Sequence, residues 1–111
     1  MKTPRLNRKL VLEELSRVPD GMGGFTESWV SKGALWANLD ARGAVERQVG
    51  GRTLSVSKFK IITRAAPFGA DSRPRPDQRF REVGRRFDIL AVGEYDDAGH
   101  YLEIWAEEGR L

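Results

Sequence analysis

The sequence predicts an all-β protein: a small antiparallel β-barrel with a long loop between its second and third strands. Three observations carry this reading. Short apolar runs are separated by clusters of Gly, Pro and Asp along the chain, the pattern of strands and turns. The last third reads as three strands joined by tight turns, a meander that forms a natural wall of a small barrel. Three Trp and five Phe suit a small core, because each ring fills a large volume from one position. With 111 residues, the chain is read as one domain over 1–111, large enough to bury roughly two thirds of the surface its unfolded form exposes.

The first segment, Lys9 to Val18, fits two patterns: Leu6, Leu10, Val11, Leu15 and Val18 match a helical spacing about as well as a strand. It ends at Pro19-Asp20-Gly21, a tight-turn tripeptide that Met22-Gly23-Gly24 extends. Phe25 to Asp40 alternates, is interrupted by Gly33 and then alternates again, the mark of a strand with a bulge or barrel corner. Ala41 to Thr53 carries three Gly, mixed charges and few apolar residues. It reads as a long mobile loop with one helical turn around Val45 to Val49. Leu54 to Ala65 returns to strand, with Phe59, Ile61 and Thr63 on one face. Ala66 to Gln78 contains Arg73-Pro-Arg-Pro-Asp77, and its prolines predict an extended, exposed connection. Beyond it, Gly84 and the Asp96–Gly99 turn divide the final meander. Phe87, Ile89, Leu102 and Ile104 are its expected buried face.

Composition narrows the functions. The absence of cysteine excludes disulfides, thiolate nucleophiles and Cys-based metal sites. No apolar run is long enough for a signal peptide or a bilayer span, so the expectation is a soluble protein of the cytoplasm in which it is made, with no membrane partner. A single His beside Asp96 and Asp97 is better explained as part of a turn than as a metal site. The glycines around Met22 lack the Lys-Ser/Thr of a phosphate loop. No catalytic residue, cofactor site or metal site is expected, and the protein is read as a non-enzyme. Net charge is +3, and 14 of the 19 basic residues are Arg, a side chain suited to interfaces and nucleic acid. Acidic residues interleave the Arg run from 73 to 86, which weakens the case for a DNA patch there.

Taken in order, four features resemble the head–tail joining family of tailed bacteriophages and gene transfer agents, also called head-closure or stopper proteins. They are the Pro19–Gly24 turn; Trp29 followed by Trp36-Ala37; the Gly/charge-rich stretch with Glu46-Arg47 leading to Phe59-Lys-Ile-Ile-Thr-Arg64; and Gly84-Arg-Arg-Phe-Asp-Ile89 with Tyr95 and Tyr101-Leu-Glu-Ile104. The 66–78 connection is longer and richer in Pro and Arg than that family's usual link.

The resemblance implies a ring, sixfold favoured and twelvefold allowed, in the neck of a virion or phage-like particle. A portal or adaptor ring would lie above it and a tail terminator or tail tube below. The loop between the second and third strands would project into the DNA channel and hold back packaged double-stranded DNA without sequence preference. Under that reading Gly43, Gly50 and Gly51 supply flexibility, while Arg42, Arg47 and Arg52 face phosphate. Glu46 would latch onto a neighbouring subunit. Trp29, Trp36, Arg73 and Arg75 are the interface candidates, with core packing the alternative for the Trp residues. The competing function is a monomeric OB- or SH3-like module that binds nucleic acid through an Arg-rich face.

Overall fold

Every regular element of the computed structural model, which describes residues 3–109, is a strand. The strands are β1 (Arg8–Pro19), β2 (Phe25–Val49), β3 (Arg52–Arg64), β4 (Arg79–Glu82), β5 (Arg85–Glu94) and β6 (Tyr101–Gly109). They close into a barrel in the order β1-β2-β3-β6-β5-β4, and every neighbouring pair is antiparallel. The first segment, helical or extended on its spacing alone, is a strand. Leu10 and Leu12 point into the core, and β2 and β4 pair with it on its two sides.

The expected inward faces of β3, β5 and β6 are buried, and Leu12 and Phe80 join them. Leu10, Leu12, Ile61, Phe80, Phe87, Leu102 and Ile104 are fully buried, with the rings of Phe59 and Phe87 edge-to-face at 5.1 Å. Each such aliphatic or aromatic side chain contributes about 1.5–3 kcal/mol by leaving water. One end of the barrel is closed by ion pairs running Arg8–Glu82–Arg85–Glu108. There the Arg85 guanidinium lies 4.9 Å from the Phe87 ring centre. Its hydrogen bond to Glu108 is the main cause of a pKa raised above the ordinary arginine value.

Two turns follow the expected chemistry. Asp20 Oδ1 accepts the amides of Met22 and Gly24 at 2.8 and 3.1 Å. Asp96 Oδ1 accepts those of His100 and Tyr101 at 2.9 and 3.1 Å. In both, a short carboxylate satisfies amides that the turn leaves unpaired. The predicted break at Gly33 is a bulge: Leu12 faces Gly33 and Glu13 faces Ser31, so Lys32 is the extra residue, and Gly33 takes φ 111°.

Two expectations need correction. The 41–53 segment is not a mobile loop and has no helical turn; β2 and β3 continue through it as paired strands. The Pro/Arg-rich connection is not simply exposed. Pro74 and Gln78 are buried, and the Gln78 side chain accepts the Arg75 amide at 2.7 Å. Arg75 pairs with Glu14 on β1 and Asp71 lies 3.5 Å from Lys32 on β2. The connection is docked along the β1–β2 hairpin, because its prolines lower the entropy of ordering it and its charges find partners there.

Candidate functional site: the β2–β3 arm

Beyond the barrel, β2 and β3 run on as a two-stranded arm. β3 pairs with β6 only from Lys58 to Arg64, and β2 pairs with β1 only as far as Ala37, so among the described residues no other strand lies beside 44–57. A bulge marks the junction. Ala41 faces Phe59 and Ala44 faces Ser57, leaving Arg42 and Gly43 opposite the single Lys58. Gly43 takes φ 96° there, a conformation that costs glycine little and other residues much. At the tip, Gly50 and Gly51 have φ 57° and 77°, the pair of positive angles a two-residue hairpin turn of type I′ requires. Gln48 Nε2 donates to Thr53 Oγ1 across the strands at 2.7 Å.

The arm is amphipathic. Val45 pairs with Val56 and Arg47 with Leu54, so Val45, Leu54 and Val56 share one half-buried face. Glu46, Gln48, Thr53 and Ser55 form the other. Few of its charges are free. Arg42 pairs with Asp40 at 2.8 Å. Arg47 reaches back across β3 to Glu107 on β6, and that hydrogen bond is the first cause of its raised pKa. Among the seven residues expected to matter, only Glu46 and Arg52 are charged, exposed and without a described partner.

The four interface candidates separate sharply. Trp29 is half-buried beneath the Arg79 guanidinium, 4.0 Å from its ring centre. Arg73 donates to the Ala66 carbonyl at 2.9 Å and lies 3.9 Å from the Phe68 ring, while Arg75 is held by Glu14. Trp36 alone of the four has no described side-chain partner, and it is 56% exposed on the outer barrel wall. The alternation that makes the arm was present in the sequence: Val45, Arg47 and Val49 mirror Arg52, Leu54 and Val56 about Gly50-Gly51. A glycine pair flanked by alternating residues is a hairpin signal. Among the described residues, no cluster of three or more His, Cys, Asp or Glu side chains could hold a metal ion.

A barrel that carries paired strands well beyond its own core is built to make contacts outside itself, as structural assembly proteins are. The chain belongs to the phage head completion protein family, which matches residues 1–109, and is a structural head–tail connector. A chain in the virion of a native gene transfer agent particle is 52% identical, with a TM-score of 0.85, the match covering 98% of this chain and 100% of that one. Protein SF1141 from Shigella flexneri 2a is 21% identical with a TM-score of 0.68, covering 98% and 97% of the two chains, and so shares the fold. No curated protein matches the chain.

Proposed function

We propose that the protein is a non-enzymatic head-closure ring of a virion or gene-transfer-agent neck, with the β2–β3 arm as its channel-closing element. The observation that carries this is the arm itself: a paired, amphipathic projection with a glycine-containing bulge at its base and no covering strand. Identity of 52% with a chain of a gene transfer agent virion supports the location in the particle. The ring lies between a portal or adaptor and the tail, and packaged double-stranded DNA is its non-specific contact.

The distribution of charge says how such an arm works. With Arg42 and Arg47 paired inside the molecule, Arg52 is the cation left to meet a phosphate at the tip. Closure is therefore steric, with arms packing their apolar faces on one another, and electrostatic attraction is secondary. DNA retention should depend weakly on salt, because a contact that neutralises few phosphates has a shallow salt slope. The test replaces residues 46–55 with an Asn-Gly turn joined to Val45 and Val56, which leaves the barrel pairing untouched. Particles carrying the shortened arm should assemble but leak DNA or fail to join tails. Normal yields of filled, tailed particles would exclude the arm as the closing element.

A further inference from the structure

Away from the arm, the unpaired charges are segregated by side. Among the described residues, the cations whose side chains have no ion pair, hydrogen bond or ring contact are Arg5, Lys9, Arg52, Lys58 and Arg64. Three of them surround Trp36. Lys9 is its cross-strand partner on β1. Arg64 follows Thr63, the partner of Ala37, and so continues the same row on β3. The Arg5 carbonyl accepts a 3.0 Å hydrogen bond from Asn38, two residues along Trp36's own face of β2. An exposed indole ringed by unpaired cations has the composition of an interface centre with a polar rim.

The acidic residues without partners lie elsewhere. Of Glu46, Asp77, Glu94 and Asp97, the last two belong to the end of β5 and its turn into β6, and the Asp77 amide is bonded to Ile89 of β5. In the closed order β1-β2-β3-β6-β5-β4, β2 and β5 are three places apart in either direction, on opposite sides of the barrel. A row of cross-strand neighbours links the two patches: Arg64 pairs with Tyr101, whose carbonyl accepts the Tyr95 amide at 3.1 Å. Between the acids, the β5 wall is low and apolar. Leu90 is a partly exposed bulge residue, Ala91 and Gly93 are exposed, and a side chain added at Gly93 would meet nothing within 4 Å.

We propose that copies of this chain join head to tail, with Trp36 of one copy seated on the Leu90–Gly93 wall of the next. Arg5, Lys9 and Arg64 then face Glu94 and Asp97. Opposite charges on different sides make a heterologous contact, which passes from copy to copy instead of stopping at a symmetric dimer and closes into a ring when the rotation between copies closes. The proposal rests on the ring reading above and names the surface that reading leaves open.

The chain is free of cysteine, so the contact can be trapped in assembled particles. Arg64→Cys and Asp97→Cys introduced together, then treated with a short flexible bis-maleimide, should give a covalent ladder extending past the dimer. Each single variant should stay monomeric, because a head-to-tail contact never brings like residues together. Dimers from a single variant overturn the surface, as does the absence of a ladder in particles that mass spectrometry shows to hold several copies; the ring itself then stands. Particles holding one copy overturn the ring reading as well. An independent variant, Gly93→Tyr, fills open space and should melt like the unaltered protein, yet lower the yield of assembled particles about tenfold, equivalent to about 1.4 kcal/mol. Unchanged yield with this variant overturns the seat for Trp36.

Discussion

The β1–β2 hairpin and the β2–β3 arm are two extensions of one continuous strand, and the molecule treats them differently. β1 pairs with β4 only at Val11, Leu12 and Glu13, so the hairpin from Glu14 to Val30 leaves the barrel much as the arm does at its other end. The hairpin, however, is braced. The 66–78 connection lies along it through Arg75–Glu14 and Asp71–Lys32, and Arg79 covers Trp29. The arm has one described ionic tie to the rest of the molecule, Arg47 to Glu107, and a glycine bulge at its base. Ribbons of two strands are marginal by themselves in water. One extension is thus held as part of the body, and the other is left able to move as a unit about its base.

The largest expected effect tests what the two extensions share. Ile104→Ala removes a fully buried side chain from the barrel and should cost about 2–5 kcal/mol. Thermal melting should fall strongly, and amide exchange should accelerate in both extensions together. Exchange that accelerates in only one would mean that they do not rest on a common core.

An intermediate effect should separate them. Trp29→Ala strips the braced hairpin of its packing under Arg79 and should cost about 1–3 kcal/mol, within the usual range for lost packing and cation–π contact. Val56→Ala makes the comparable cut in the arm and should cost less than about 1 kcal/mol, because only the facing Val45 and its neighbours are uncovered. Equal losses in melting would show that the arm is packed as firmly as the hairpin.

The smallest change should be the most selective. Arg47→Ala should leave the melting temperature almost unchanged, since an exposed ion pair adds little to global stability. Exchange of the amides from Leu54 to Ser57 should nevertheless quicken, because the tie to β6 is gone. Melting that falls as far as in Trp29→Ala would make the arm part of the body after all.

Much of this was legible in residue order, and the failures have a common cause. The burial of Phe87, Ile89, Leu102 and Ile104 followed from period-two alternation, and the turns at Asp20 and Asp96 followed from where short carboxylates sit. In the 41–53 segment, three glycines and four charged residues mask a symmetric alternation about Gly50-Gly51. The glycines meant a bulge and a type I′ turn, both places where a strand needs positive φ, and not a loss of order. The docking of the Pro/Arg-rich connection is not legible either, because prolines bar a central strand without saying whether the chain docks.

Residue order by itself determined the all-β class, the inward face of the barrel and the turns, which depend on spacings within a few positions, and the resemblance to head-closure proteins, which depends on the order of such features along the chain. Only the tertiary structure decided which arginines are free, which Trp is open and which extension is braced. Arg47 finds Glu107 across 60 positions and Arg75 finds Glu14 across 61. Local alternation cannot encode such pairings, which exist only once the closed sheet has brought distant strands side by side.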